Sequence, residues 1–240
     1  MSGHSKWSTI KRKKGAADAK RGVVFTRFSK DITLASKEGG GDIEMNPILR
    51  LAVKKAKASN MPSANIDKAI KKGTGELPGI KYENYIYEGY GPLGVAIMME
   101  VMTDNKNRTV PEIRYIMSKN GGNLGESGCV SWMFEKKGSI TINKTDSINE
   151  EELMDISIEI DAEDFTVEDD YYEIITQPGN FNKTVEYLDK KEYDYEGELG
   201  LIPINMVKVS QNDANSIIKL LELLEDNDDV QKIHSNFEVQ

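Results

Sequence analysis

The sequence predicts an α+β protein: an N-terminal helical domain followed by two two-layer αβ domains of ferredoxin-like kind, the last inserted in the other. Two observations carry this. Apolar residues recur at helical spacing as far as Pro78 and at strand spacing beyond it. Between residues 138 and 200 the pattern then runs β-α-β-β-α-β, the order of a ferredoxin-like unit.

The elements follow in chain order. Residues 6–21 hold few large apolar groups beyond Trp7 and Ile10, and are expected to form a loosely docked basic arm. Val24, Phe28, Ile32 and Ala35 share one helical face, which predicts a helix over 16–37 that ends at Gly39-Gly40-Gly41. Asn46 and Pro47 supply an N-cap and a first helical residue for a second helix, with Ile48, Leu51, Ala52 and Ala56 on one face. A third starts at Ser63 and stops at Gly73. Strands are then expected over 82–87 and 94–102, a helix over 109–119, and a strand over 130–134 after a glycine-spaced loop. The ferredoxin-like unit consists of strand 138–143, helix 149–160, strands 163–168 and 171–176, helix 180–191 and strand 194–200. Strand 202–209, helix 213–225 and strand 230–237 return to the earlier unit. The expected division is therefore 1–78, then 79–133 plus 202–240 as one discontinuous domain, with 134–201 as an acidic insertion.

Charge points to a partner. Residues 1–80 hold 17 Lys and Arg against 7 Asp and Glu, a net of +10, whereas residues 81–240 hold 14 against 33, a net of −19. The overall −9 hides this segregation, which suits a basic surface for nucleic acid on an acidic, soluble body. In the arm, Lys6, Lys11, Arg12, Lys13, Lys14, Lys20 and Arg21 surround Trp7, pairing cations for phosphates with an indole that can stack on an unpaired base. The duller alternative has Trp7 covering the helical core. Arg27, Lys30, Lys54, Lys55, Lys71 and Lys72, together with Lys57 and Lys68, could extend the basic stripe, although each taken singly suits a solvated helix face.

Catalysis finds little support. One cysteine and two histidines cannot cage zinc, so neither a metal nor any other cofactor is expected. Cys129 has no base beside it and suits a small buried residue. Glu150-Glu151-Glu152, Glu168-Asp169-Asp170 and Asp226 with Asp228 and Asp229 sit at helix starts, turns and helix ends, where solvated acids are common; a metal-dependent nuclease is thus the third function class, behind two kinds of nucleic-acid binder. Gly73-Thr74-Gly75 and Gly121-Gly122-Asn123-Leu124-Gly125 lack the spacing of a phosphate-binding loop. The second suits either a close approach to a partner or a helix stop with a loop. No apolar run is long enough to cross a bilayer and no signal peptide is evident, so a cytoplasmic protein is expected.

Several long motifs occur in order: Gly3-His4-Ser5-Lys6-Trp7, Asp18-Ala19-Lys20-Arg21-Gly22, Glu38-Gly39-Gly40-Gly41, Asn60-Met61-Pro62, Ala69-Ile70-Lys71-Lys72-Gly73-Thr74-Gly75, Tyr87-Glu88-Gly89-Tyr90-Gly91-Pro92, Thr103-Asp104-Asn105-Lys106-Asn107-Arg108-Thr109 and Ser118-Lys119-Asn120-Gly121-Gly122-Asn123-Leu124-Gly125. With them the chain resembles the YebC/PmpR family, which includes the mitochondrial translational activator of cytochrome c oxidase. Near its start it departs from the family's usual Ile-Lys-His-Arg-Lys, having Ile10-Lys11-Arg12-Lys13-Lys14 in its place. The resemblance implies three domains around a cavity and no catalysis. Its members are described both as DNA-binding transcriptional regulators and as ribosome-associated translation factors that ease difficult peptide bonds, so DNA and ribosomal RNA are both implied partners. On physical grounds an arm with one tryptophan, and no evident helix-turn-helix, suit unpaired RNA better than the major groove.

Overall fold

The computed structural model describes residues 21–78, 82–145 and 148–240, with side chains from residue 24 onward. Three helices come first: α1 (Arg21–Gly39), α2 (Pro47–Ala58) and α3 (Ser63–Gly73). Their shared core is Ile32, Ala35, Leu49, Val53, Ala56, Met61, Ile66 and Ala69. Asn46 fixes how α1 meets α2. Its side-chain oxygen accepts from the Leu49 N–H at 3.1 Å, capping α2, while its amide donates to the Ala35 and Gly40 carbonyls at 2.8 Å each. Gly40 (φ +84) takes the left-handed turn this requires.

The middle unit is a sheet of order β3-β1-β2-β9, from β1 (Glu83–Tyr90), β2 (Ala96–Thr103), β3 (Asn123–Leu124) and β9 (Val230–Ser235). Helices α4 (Lys106–Lys119) and α7 (Gln211–Glu225) cover one face with Ile113, Met117, Ile217, Leu220 and Leu224. The other face of β2 packs Ala96 and Met98 against Val130 and Phe134, so the strand is buried on both sides, as its nearly unbroken apolar run anticipates. A short parallel pair, β8 (Val207–Val209) with β10 (Phe237–Val239), flanks this unit. Strands β4 (Phe134–Asn143), β5 (Asp164–Val167), β6 (Tyr171–Thr176) and β7 (Glu196–Pro203) form an antiparallel sheet of order β5-β6-β4-β7. With α5 (Glu150–Glu159) and α6 (Pro178–Lys190), this is ferredoxin-like connectivity.

Most expected boundaries shift by a few residues, and three differences have an identifiable cause or change the path of the chain. The helix expected over 109–119 starts at Lys106, because the Asn105 side chain accepts from the Arg108 N–H and caps it earlier. The strand expected over 202–209 breaks after Pro203, leaving β8 as a separate piece whose Val207 N–H donates to the Asn236 carbonyl. Residues 131–133 form a 3-10 turn instead of strand, and β4 then runs without a break from Phe134.

Glu88 is the cause of that turn. Its buried carboxylate accepts the N–H groups of Gly128, Val130 and Ser131, all at 2.8 Å, and so folds residues 128–131 around itself. Burial pushes its pKa up, but these donors prevail and hold it below the ordinary glutamate value. The glycines before the turn are explained by close packing. A side chain on Gly122 would stand 2.7 Å from the Tyr90 carbonyl oxygen, and one on Gly125 would stand 2.5 Å from the Cys129 sulfur.

Glu88→Ala is expected to cost about 2–4 kcal/mol, since three N–H groups, that of Val130 buried and those of Gly128 and Ser131 partly so, lose an ionised acceptor. Amide hydrogen exchange should quicken at 128, 130 and 131. Because the folded pKa is depressed, the wild-type advantage is present above the ordinary glutamate value and fades as pH falls through the folded one; unfolding curves from pH 7 down to pH 3 would check this.

Candidate nucleic-acid interface

The candidate cations fall into four groups. Lys6, Trp7, Lys11, Arg12, Lys13, Lys14 and Lys20 lie outside the described residues, and so does the side chain of Arg21, which opens α1.

Lys30 is the clearest correction. It is 4% exposed, and its ammonium donates to the Met102 carbonyl (2.9 Å), the Asp228 carbonyl (2.8 Å) and Asp229 Oδ1 (2.8 Å). The charge is thus neutralised inside the protein and unavailable to a polyanion. Asp229 Oδ2 accepts in turn from Arg108 Nη2 (2.7 Å), Thr109 Oγ1 (2.6 Å) and Thr103 Oγ1 (3.1 Å). Burial pushes the Asp229 carboxyl up, yet the donors from Arg108, Lys30 and Thr109 hold it far below the ordinary aspartate range. One carboxylate therefore joins α1 to β2, α4 and the start of β9. Arg27, one turn before Lys30, is also turned inward, but without a pair: its Nε and Nη2 are buried with no hydrogen-bond partner among the described residues. Burial lowers its pKa, while Glu225, Asp226, Asp228 and Asp31 supply the opposing field. Helical periodicity alone could not separate these inward cations from outward ones.

Lys54 and Lys55 on α2 are exposed but face the acidic unit. The Lys54 ammonium stands 5.4 Å from the Tyr195 ring centroid. Lys55 belongs to a charge cluster where all three units meet, with Asp31 of α1, Glu198 of β7 and Lys232 of β9. Burial lowers the Lys55 pKa against the pull of Glu198. Edge strands β7 and β9 are linked here by Lys232 to Glu198 at 3.0 Å, and beside this pair His234 Nε2 lies 2.8 Å from Glu100. Glu198 and Asp31 are open to solvent at their surfaces yet crowded by the surrounding units; this desolvation pushes Glu198 up, but Lys232 and Lys55 prevail and bring it down to about 2, whereas for Asp31 desolvation dominates and moves it up to about 6.

The fourth group faces outward. Lys68 and Lys71 of α3 are exposed and Lys72 is half-buried, and none of the three has an ion pair among the described residues. Only residues 59–62 join α2 to α3, with Asn60 in the left-handed region (φ 60). A connection this short has the length found in helix-turn-helix units, an arrangement not evident in the sequence.

Residues 5–76 match the family model described as the TACO1/YebC protein N-terminal domain, and residues 82–237 match that of the TACO1/YebC second and third domain. The chain belongs to the TACO1/YebC family. Two relatives named "probable transcriptional regulatory protein", from Caldanaerobacter subterraneus and Geobacter sulfurreducens, are each 54% identical to it; they align with the whole of this chain and with 99% and 96% of their own lengths. The crystal structure of a conserved hypothetical protein from Aquifex aeolicus has the same TACO1/YebC fold, with a TM-score of 0.87 at 44% identity over 98% of both chains. No helix among the described residues is long and apolar enough to cross a membrane.

Two outcomes follow from these charges. Lys30→Met or Asp229→Asn alone should destabilise the fold by about 3–5 kcal/mol, since each strands a buried charge or its donors, while the double variant should lose less than the sum. Denaturant melts of the four proteins would measure this. Asp31 has a raised folded pKa, so its ionisation weakens the fold once pH rises above the unfolded value near 4, fully so past about 6. Asp31→Asn should therefore raise Tm at pH 7.5, only modestly because the carboxyl is open to solvent that screens it, and bring a vanishing gain toward pH 4.

Proposed function

We propose that this chain is a non-enzymatic regulator of gene expression that works by binding nucleic acid, with the basic arm and the outward cations of α3 as the contact surface. The supporting observation is where the +10 of residues 1–80 goes once internal partners are assigned. Lys30 and Arg27 are spent in the joint and Lys54 and Lys55 face the acidic unit, whereas Lys68, Lys71 and Lys72 remain directed at solvent on the same helical unit as the arm. The net −19 beyond residue 80 repels phosphate and so confines a polyanion to that end. On this reading residues 1–78 are the binding unit, 79–133 with 202–240 its support, and 134–201 an inserted acidic unit.

The relatives' names make duplex DNA the first ligand to test, with unpaired RNA as the second. If the arm engages about six phosphates, log K should fall against log salt with a slope near −5 for duplex and near −4 for a single strand. A flat response would reject the reading. Lys13→Ala with Lys14→Ala should reduce the slope for every sequence alike. Trp7→Ala should leave the slope unchanged and weaken binding to unpaired RNA by roughly 1–3 kcal/mol if the indole stacks on a base. A lowered Tm with intact binding would instead assign Trp7 to the helical core.

A further inference from the structure

A pocket of about 290 Å³ lies between α1 and α3. Its floor is shallow in side chain because small residues face each other there, Ser29 and Thr33 from α1 and Ala69 from α3. The helices can come this close because Gly73 has no side chain, since a Cβ there would collide with the Thr33 carbonyl; Thr33 Oγ1 lies between the Ser29 carbonyl of its own helix at 2.7 Å and the Ala69 carbonyl of α3 at 3.2 Å. Along the rim Asn65, Lys68 and Lys72 share one face of α3, at helical spacing. Tyr82 forms an end wall, its ring held by the Lys30 ammonium 5.4 Å from the centroid.

Beyond Tyr82 and Thr26, which line both, a second cleft of about 690 Å³ opens. Its character is opposite. Asp104, Glu112, Asp226, Asp228 and Asp229 line it, and its two cations, Lys30 and Arg108, are both bound to Asp229. A phosphate backbone thus meets at one end two ammonium groups, Lys68 and Lys72, that have no ion pair among the described residues, and a wall of carboxylates at the other. It can enter as far as the rim of α3 and no farther. The volume is at the lower limit of ligand sites, about 300 Å³, which suits one nucleotide unit and not a helical duplex.

We infer that this pocket holds a single unpaired nucleotide of a bound strand, its phosphate on Lys68 and Lys72 and its base against Tyr82. The inference rests on the nucleic-acid reading above and adds to it a site and a preference: within that surface one position is for an unstacked base, which a continuous duplex cannot offer without flipping. The hydroxyls and amide of the lining suit sugar and base edges, and the aromatic ring suits any base, so selection is for single-stranded character before sequence.

The test uses the full chain and two fluorescein-labelled probes, a ten-nucleotide single strand of mixed sequence and a hairpin duplex of the same sequence, followed by anisotropy. Lys68→Ala with Lys72→Ala should weaken single-strand binding about tenfold or more while reducing duplex binding much less. Tyr82→Leu should also cost the single strand about tenfold with an unchanged salt slope, and Tyr82→Phe should restore most of the affinity. Lys68 is exposed and Lys72 half-buried and solvent-directed, so their removal should leave the melting temperature near that of the intact protein. If the intact chain binds the single strand and these variants bind it equally well, or lose single strand and duplex alike, the pocket assignment is overturned while nucleic-acid binding stands. If the intact chain binds neither probe, the nucleic-acid reading itself fails and takes the pocket with it.

Discussion

The buried carboxylate of Asp229 holds together parts of the molecule that share no continuous core. Removing an aspartate from water costs several kcal/mol, and here the cost is offset by two cations and two hydroxyls drawn from three separate elements. Lys30 arrives from the helical unit, Thr103 from the end of β2, and Arg108 and Thr109 from the first turn of α4. Because the acid and its donors stabilise one another only when all are in place, the helical unit is fixed in one orientation on the sheet. An apolar joint of similar area would be less particular about angle.

That orientation decides which charges remain available. On α1 the inward side carries Arg27 and Lys30 into the acidic end of the middle unit, where Lys30 is paired with Asp229 and Arg27 lies in the field of Glu225, Asp226 and Asp228. On α2, Lys54 and Lys55 face Tyr195 and Glu198 of the inserted unit. The acidic body thus pairs with a subset of the cations and leaves those of α3 outward. Charge segregation along the chain becomes a directed surface only through this pairing.

Glu88 plays a comparable part within the middle unit. A carboxylate that accepts three consecutive-region N–H groups converts what would be extended chain into a tight turn, and β4 then leaves toward the inserted sheet from a fixed point. Gly122 and Gly125 nearby are accounted for by close packing against the Tyr90 carbonyl and the Cys129 sulfur.

The sequence by itself determined the succession of elements, because each rests on local rules. Asn46 and Pro47 start a helix, Gly39 to Gly41 end one, and the doubly buried β2 declares itself by an apolar run interrupted only at Glu100. It also determined the ferredoxin-like connectivity, which follows from element order, and the segregation of charge, which is a count. Tertiary structure alone decided which lysines are free. Lys30 and Lys68 look alike along the chain, each a lysine on an amphipathic helix; one is buried on an aspartate 199 positions away and the other rims a pocket. Tyr82 next to Ser29 and Asn65 is likewise a product of helix packing, since residues so far apart in the chain become neighbours only when α1 and α3 close on Gly73. Local periodicity reports which side of a helix is apolar; it carries no information about what a distant segment will bring to the polar side.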